Sequence, residues 1–259
     1  MARLVALALG VALIGAAALA ASSARAPAAE AVEPPEHEWS HTGVFSTFDS
    51  AQLKRGFQVY REVCATCHSV KYLAFRNLAA LGYSEEEVKA IAAEYTAIDG
   101  PDETGEMFER AAWPSDPFPS PYRNEEEARY INNGALPPDL SLIVEAREGG
   151  IDYLYALLIG FEEAMPADFH LTEGMSYNPY FPGSEIAMPP PLYDEAVEYA
   201  DSTQASVPQM AEDVSVFLNW LAEPELDERK RIGAMVLIFL GVFGALTYVL
   251  KRRVWGKLH

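Results

Sequence analysis

The sequence predicts a mostly α-helical protein with long irregular insertions and one C-terminal transmembrane helix. Apolar residues recur at helical spacing in the capped segments 49–61 and 206–222, a pattern typical of amphipathic helices. Residues 232–250 contain no charged side chain and are bounded by basic residues on both sides. Residues 162–205 are rich in Pro, Gly, Tyr and Asp with little periodicity, so we expect a long irregular stretch there.

The chain divides into three predicted parts. Residues 1–31 have a short positive start, an apolar stretch and a run of small residues, which is the pattern of a cleaved export signal. An uncleaved anchor is the alternative, but the apolar stretch is shorter than most membrane spans. We expect residues 32–228 to form a periplasmic domain. Residues 229–259 then form an inner-membrane anchor and a short cytoplasmic tail.

The first helix of the domain begins at Asp49, a residue suited to cap a helix. It carries Leu53, Phe57 and Tyr60 on one apolar face. Gly56 lies beside this face. It either permits the close approach of another helix or is an ordinary tolerated glycine.

Further helices are predicted from caps and apolar spacing. Residues 99–121 are predicted to be a loop, because Pro, Asp and Gly recur there. The other predicted helices cover residues 84–95, with Ser84 and Glu87 as a capping box; residues 125–132, capped by Asn124; residues 151–161, almost wholly apolar and expected to be buried; and residues 206–222, with an apolar stripe of Met210, Val214, Phe217, Leu218 and Leu221.

The apolar segment 232–250 is long enough to cross a membrane. At ~1.5 Å per residue it reaches about 28 Å, close to a hydrocarbon core of ~30 Å. A buried helix of a soluble protein is the alternative, but the segment has no polar face. Lys251, Arg252 and Arg253 follow it without acidic neighbours, so the positive-inside rule predicts a cytoplasmic C-terminus.

The charges are distributed unevenly along the chain. The formal net charge is −19, all 38 Asp and Glu precede Arg229, and seven Lys or Arg lie from that residue onward. A strongly acidic body argues against nucleic acid as a partner and favours a cationic one. Plain solubility is the alternative explanation of the acidic surface.

One short motif carries chemistry, Cys64-Ala65-Thr66-Cys67-His68. Two thiols separated by two residues, with His next to the second, form the attachment signal of a c-type haem. Each thiol can bond one vinyl group on the same porphyrin edge, and the His can bind iron. A redox dithiol belongs at a strand-to-helix junction, and a zinc site needs further ligands that no other Cys supplies. The motif predicts one covalent haem c, attached through Cys64 and Cys67, with His68 on the iron.

The sixth iron ligand is not fixed by spacing. A methionine suits electron transfer, and Met165 and Met188 both precede proline. Met188 is followed by three prolines, which stiffen the backbone. Met210 lies on a predicted core stripe, so it is expected to pack in the core. Met235 lies in the apolar span and is expected to be in the membrane. Both Met188 and Met165 remain candidates on this reasoning.

Several longer motifs resemble the cytochrome c1 family, in its alphaproteobacterial type. Members of this family carry the haem of the cytochrome bc complex. The motifs are Arg55-Gly-Phe-Gln-Val-Tyr-Arg-Glu-Val-Cys-Ala-Thr-Cys-His68, Asn132-Asn-Gly-Ala-Leu-Pro-Pro-Asp-Leu140, Asn178-Pro-Tyr-Phe-Pro-Gly183 leading to Met188-Pro-Pro-Pro191, and Ala222-Glu-Pro224 ahead of the basic cluster and the span.

The resemblance implies a class I cytochrome c core, with Met188 as sixth ligand and Arg147 and Tyr153 at the haem propionates. A surface Arg and a core Tyr are the alternative for the last two. It also implies a subunit that sits beside cytochrome b in a respiratory or photosynthetic chain. Such a subunit takes single electrons from the Rieske iron–sulfur protein and passes them to a basic soluble or tethered cytochrome c. The haem carries the chemistry, so no acid–base or nucleophilic residue is needed.

Two features depart from the family pattern. Ala187 stands before Met188, where a Gly is common, and the chain has no Cys left for the disulfide that some bacterial relatives carry. Two other functions remain open on sequence alone, a standalone membrane-tethered electron shuttle and a haem peroxidase or gas sensor. The second needs an exchangeable sixth ligand, and the Pro-rich segment around Met188 argues against it.

Overall fold

The computed structural model describes residues 32–256; the predicted export signal, residues 1–31, and residues 257–259 lie outside the described residues. The helices are α1 (Ser50–Glu62), α2 (Glu85–Ala93), α3 (Glu125–Ile131), α4 (Gly150–Ile159), α5 (Val207–Ala222) and α6 (Leu226–Trp255), with 3₁₀ turns at Cys64–Thr66, Phe75–Leu81 and Gly160–Glu162. The strands are β1 (Thr96–Asp99), β2 (Phe108–Ala111), β3 (Ser176–Tyr177) and β4 (Glu185–Ile186). The mostly helical class with one long C-terminal apolar helix is confirmed.

Helix α1 forms where the sequence predicts it and delivers the chain to the Cys64–His68 motif. Its N-cap is Asp49, whose Oδ1 accepts hydrogen bonds from the amides of Ala51 and Gln52 at 2.7 and 3.1 Å. This cap satisfies amides that have no partner inside the helix. The predicted apolar face is buried in the core, as the exposures of Leu53, Phe57 and Tyr60 show.

Helices α1 and α5 pack directly on each other at Gly56. A Cβ at Gly56 would lie 2.0 Å from the carbonyl oxygen of Asp213 and 2.7 Å from the Cβ of Phe217, so no larger residue fits. The Arg55 guanidinium binds the buried Asp213 carboxylate beside this crossing, with Nε–Oδ2 and Nη2–Oδ1 distances of 2.9 and 3.1 Å. The predicted close approach at Gly56 is confirmed, and the paired charge compensates the carboxylate buried there.

Helix α5 is the centre of the core. Ser206 caps it by accepting a hydrogen bond from the amide of Gln209 at 3.4 Å. The whole predicted stripe is buried, and so are most of the remaining side chains, including Asn219 and Trp220. The helix packs against both α1 and α4. A single apolar stripe predicts a helix with one exposed face, but α5 is surrounded by protein on most sides.

Residues 99–121, predicted to be a loop, contain most of an antiparallel hairpin. Strands β1 and β2 pair from Thr96–Ala111 to Asp99–Phe108. The Arg110 guanidinium lies between the carboxylates of Asp99 and Asp116, at 2.5 and 2.6 Å. The loop prediction was wrong here because both strands are short and largely exposed, so they lack an alternating apolar pattern.

The irregular stretch 162–205 is confirmed, apart from the two-residue strands β3 and β4, which pair with each other. One of its fixed points is Asn178, which is fully buried. Asn178 Nδ2 donates to the carbonyl of Leu157 at 2.7 Å, and its Oδ1 accepts from the amide of Tyr180 at 3.1 Å. The stretch is therefore attached to the end of α4.

Helix α6 extends the predicted span on both sides. Three residues separate it from the end of α5, and its most apolar window has a mean hydropathy of 2.3. None of its side chains is buried within the described chain, which contradicts the alternative of a buried soluble helix. An exposed apolar helix of this length fits a single-pass membrane anchor.

Candidate functional site

The Cys64–His68 motif forms one tight turn at the end of α1. The amides of Cys67 and His68 both donate to the carbonyl of Cys64, at 3.1 and 2.9 Å, and both thiols are free and half-buried. Burial, followed by the neighbouring Cys67, raises the pKa of the Cys64 thiol to about 12. The motif follows the end of a helix, whereas a redox dithiol belongs at a strand-to-helix junction, so the redox-dithiol alternative is disfavoured.

The imidazole of His68 is held in one tautomer. Its Nδ1 lies 2.8 Å from the carbonyl oxygen of Pro138, and because a carbonyl only accepts, Nδ1 carries the proton. Nε2 keeps its lone pair, which is the form in which His binds a metal. Burial lowers the pKa of His68, and the Pro138 bond and the Asp139 charge only partly oppose this. The ring is therefore neutral at pH 7.

A group of hydrogen bonds centred on Asp139 fixes the Pro138 carbonyl beside His68. The Asp139 carboxylate accepts from the hydroxyl of Ser69 at 2.7 Å and from the amides of Lys71 and Ser141 at 2.9 and 3.0 Å. Burial alone would raise the pKa of Asp139, but these hydrogen bonds outweigh it and lower the pKa. We call these four residues, Asp139, Ser69, Lys71 and Ser141, the Asp139 cluster.

A cavity of about 300 Å³ lies beside Cys67. Its walls include Pro138, Tyr122 and Glu125, the first residue of α3. The Tyr122 hydroxyl accepts a hydrogen bond from Asn132 Nδ2 at 2.9 Å. Burial raises the pKa of Tyr122, with Asn132 opposing and the neighbouring Cys67 thiol adding to the rise. The cavity thus joins the motif to the acidic first turn of α3.

Comparison with known proteins decides the family. The sequence profile described as the Cytochrome C1 family matches residues 39–258. The mitochondrial cytochrome c1 heme protein of Saccharomyces cerevisiae is 49% identical over 237 residues, which cover 92% of this chain and 77% of that protein. The chain belongs to the cytochrome c1 family. Among other members, cytochrome c1 of Rhodospirillum rubrum is 46% identical over 235 residues, 85% of this chain and 86% of that protein. Cytochrome b/c1 of Bradyrhizobium diazoefficiens is 47% identical over 248 residues, 88% of this chain and 36% of that longer protein.

The donor set of this cytochrome c1 family member fits one covalent haem c. Cys64 and Cys67 stand on a single turn, where two thiols can bond two vinyl groups. The deprotonated Nε2 of His68 is a suitable iron ligand, and its Nδ1–H is already satisfied by Pro138. The cavity beside Cys67 adds space next to the attachment point.

Exposure separates the methionines of this cytochrome c1 family member. Met210 is fully buried in α5, in agreement with a packing role, and Met165 is 48% exposed. Met188 lies two residues after β4 and is half-buried. The described lining of the cavity beside Cys67 does not include Met188. Its role as sixth ligand stays a prediction, with its partial burial in its favour over Met165.

Arg147 and Tyr153 are brought together around the start of α4. Tyr153 is 8% exposed; burial raises the pKa of Tyr153, and the nearby Arg147 cation opposes the rise. The Arg147 side chain is exposed, and its only side-chain hydrogen bond within the described residues is from Nη1 to the carbonyl of Ala146 at 3.4 Å. Its guanidinium is therefore available to an anionic group. Contact of either residue with a haem propionate stays a prediction.

Sequence reasoning does not find the role of Pro138 or Asp139. The pair Pro137-Pro138 predicts only a break in the chain. His68 and Pro138 are 70 positions apart, so their hydrogen bond leaves no local pattern. The signal that could have found them is the motif Asn132–Leu140, which contains both residues.

Proposed function

We propose that this chain is the haem-bearing subunit of a cytochrome b–c1 complex. It relays single electrons from a Rieske iron–sulfur protein to a basic soluble or tethered cytochrome c. The observation that carries the proposal is the Cys64–His68 turn, in which a neutral imidazole with a fixed Nδ1 proton stands next to two free thiols. The setting is supported by a relative named cytochrome b-c1 complex catalytic subunit, from Candida albicans, which is 48% identical over 237 residues.

The residues of this chain hold and tune the cofactor. Bound haem supplies a one-electron couple between ferric and ferrous iron. Cys64 and Cys67 would attach it, and His68 Nε2 and the thioether of Met188 would bind its iron. A thioether ligand favours the ferrous state and raises the reduction potential. No residue of the chain needs to transfer a proton.

Arg147 and Tyr153 hold the propionates in this proposal. An Arg guanidinium suits a carboxylate because it can donate two parallel hydrogen bonds. The positive charge of Arg147 also compensates a negative charge that would otherwise be costly near a buried surface. Tyr153 supports the proposal because its hydroxyl is close to that cation and largely shielded from water.

The haem domain, residues 32–228, stands in the periplasm in this proposal, and the C-terminus is cytoplasmic. Residues 1–31 direct export and are removed. Helix α6 crosses the inner membrane once, which its exposed apolar surface supports. The uncompensated charges of Lys251, Arg252 and Arg253 support the orientation.

The acidic first turn of α3 is the proposed docking point for a cationic acceptor. Glu125 and Glu126 are exposed, and Glu125 lines the cavity beside Cys67. The first turn of α2 carries a similar pair, Glu85 and Glu86, but the described lining of that cavity does not include them. Because salt screens surface charges over ~8 Å, the cluster nearer the cofactor should guide the acceptor more strongly.

Purification of the membrane-bound chain in mild detergent tests the proposed function. We expect it to carry covalent haem, to copurify with a cytochrome b and an iron–sulfur protein, and to be reduced when quinol is added. A chain that came out alone, with haem that quinol does not reduce, would identify a standalone electron shuttle instead. Binding of carbon monoxide by the native protein would favour the peroxidase or gas sensor.

A further inference from the structure

A short segment of the domain, residues 41–48, lies against the first turns of α6. The carboxylate of Asp227 accepts a hydrogen bond from the amide of Phe48 at 3.3 Å. Lys230 Nζ donates to the carbonyl of Ser46 at 3.0 Å and to that of the first residue of the segment. Asp227 and Lys230 are three positions apart and share one face of the helix. The segment is therefore fixed to this face at two points.

The tip of the segment is apolar and exposed. Val44 and Phe45 are 76% and 86% exposed. Together with Ala234 they line a void of about 120 Å³. Ala234 is the third residue of the apolar span 232–250. Lys230 and Arg231 line the same void, so the tip lies at the boundary between the basic start and the apolar part of α6.

The position of this tip separates it from an ordinary exposed apolar side chain. Single apolar residues are common on protein surfaces, but these two are adjacent and continuous with the exposed surface of α6. The basic cluster Arg229–Arg231 marks the level of the lipid headgroups in the proposed orientation. Because the tip shares a void with Lys230, Arg231 and Ala234, it lies where that cluster meets the apolar part of α6. A void lined by both basic and apolar residues suits the layer of a bilayer where headgroups meet acyl chains, so lipid is the expected occupant.

We propose that Val44 and Phe45 form a second membrane contact, inserted into the interfacial layer of the bilayer beside α6. The proposal rests on the proposed transmembrane placement of α6. Aromatic and aliphatic side chains are favoured at this depth. Lys230 has a structural role here, because its ammonium holds the backbone of the segment while the tip stays apolar.

The second contact has a consequence for the orientation of the domain. A single helix can rotate and tilt in the bilayer, and its tilt is set by its flanking anchors. The tip lies on one side of α6, and only three residues separate α6 from the core helix α5. The contact therefore fixes which side of the domain faces the membrane.

Site-directed spin labelling of the assembled protein in lipid nanodiscs tests the contact. Single cysteines are introduced as Val44→Cys and Phe45→Cys, and the first of these leaves the Phe45 ring in place. The two native cysteines are consumed by haem attachment. Leu240→Cys in the span gives the lipid reference, and Tyr130→Cys on α3, where the native residue is 88% exposed, gives the aqueous reference. Collisions of each label are measured with oxygen, which concentrates in lipid, and with a water-soluble nickel chelate.

Labels at Val44 and Phe45 should collide with oxygen more often than the label at Tyr130 but less often than the label at Leu240, because oxygen is most concentrated at the bilayer centre. Their collisions with nickel should be several-fold fewer than at Tyr130. Nickel collisions equal to those at Tyr130 would place the tip in water and overturn the proposal. Few collisions with both reagents would place it against another protein, which also overturns it. An aqueous result at Leu240 itself would overturn the placement of α6, and this contact with it.

Discussion

The two sides of the candidate haem site are held in different ways. On the histidine side, the Asp139 cluster joins the residues after His68 to those after Pro138 through a half-buried charge, one hydroxyl and two backbone amides. On the methionine side, the irregular stretch is held ahead of Met188 by one neutral side chain, Asn178. Its charged contacts with the rest of the domain, of Asp194 with the amide of Val207 and of Asp201 with Arg55, come only after Met188. Hydrogen bonds to a charged group are about twice as strong as neutral ones. The histidine side is therefore the firmer of the two.

The difference indicates which axial bond should open first. His68 directly follows Cys67 in the attachment turn, and its imidazole is hydrogen-bonded to the carbonyl of Pro138. Met188 is held by packing of a stretch with few backbone hydrogen bonds of its own, since its two strands have two residues each. Regions of this kind open locally at lower free energy than a hydrogen-bonded core. We expect an added ligand to replace Met188 while His68 stays bound.

Loss of the covalent attachment should have the largest effect. Cys64→Ser and Cys67→Ser each remove one thioether, so at most one bond to the cofactor remains. We expect weaker haem staining than in the native chain for each variant on a denaturing gel, and none when the two replacements are combined. Asn178→Ala, on the methionine side, should stain like the native chain. Native staining in both cysteine variants would contradict the attachment.

Asp139→Ala should weaken the histidine side. It leaves three hydrogen-bond donors without their acceptor, and each such donor costs ~1–3 kcal/mol when it is fully buried. Because Asp139 is only half-buried, we expect the free energy of unfolding to fall by ~1–3 kcal/mol in total. Loss of the negative charge and of the firm bond to His68 should both raise the reduction potential. Redox titration and thermal unfolding measure the two effects.

A matched control for this variant is Asp102→Ala. The Asp102 carboxylate also accepts three hydrogen bonds, two from Thr104 and one from the amide of Glu106, but it lies in the exposed turn of the β1–β2 hairpin. Its replacement should leave the potential unchanged. An equal shift in the two variants would show that the Asp139 cluster has no particular influence on His68.

Asn178→Ala should loosen the methionine side without releasing the haem. It removes the donor to the Leu157 carbonyl and the acceptor of the Tyr180 amide, which costs ~1–3 kcal/mol when the groups are buried. We expect added imidazole to displace Met188 faster than in the native protein, as stopped-flow absorption can measure. Asn77→Ala, which removes an exposed bond to the amide of Ala74, is the control. Equal displacement rates in the native protein and both variants would contradict the claim that Asn178 holds the methionine side.

The smallest effect is expected at the surface near the histidine side. Glu125→Gln with Glu126→Gln should slow electron transfer to a basic cytochrome c at low salt, and the difference should disappear as salt rises. Each exposed charge contributes only ~0–1 kcal/mol. Stopped-flow reduction of the acceptor at several salt concentrations measures the rate.

The first turn of α2 provides the control for this surface. Glu85→Gln with Glu86→Gln removes the same charge from a similar helix end. Each helix also has a cation four residues after its first Glu. Lys89 lies 3.8 Å from Glu85, and Arg129 lies 4.0 Å from Glu125. This pair should have a weaker effect, because it does not line the cavity beside Cys67 in the described structure. Equal slowing by both pairs would leave the acidic surface without a preferred docking point.

The parts of this molecule that the sequence predicts are those with local patterns. Helix α1 has a side-chain cap and a buried stripe, and residues 232–250 of α6 carry no charge, so both follow from neighbouring residues alone. The attachment motif is equally local. Arg110 binds Asp99 and Asp116 at the hairpin β1–β2, and ion pairs of this kind leave no periodicity in the sequence.

Only the attachment motif of the candidate site can be predicted from neighbouring residues. The Asp139 cluster joins residues about seventy positions apart, which a single sequence does not show. Met188 lies in a stretch without periodicity, so spacing leaves it beside Met165 as a candidate. The resemblance to the family favours Met188, and the structure adds its partial burial against the exposure of Met165.

Replacement of the two candidate methionines tests the central claim most directly. Absorption spectra of Met188→Leu and Met165→Leu are recorded in the reduced and oxidised states, with and without carbon monoxide. We predict that Met188→Leu keeps its covalent haem, has a markedly lower potential and binds carbon monoxide, while Met165→Leu behaves like the native protein. A native potential in Met188→Leu, with the loss appearing in Met165→Leu, would contradict the account.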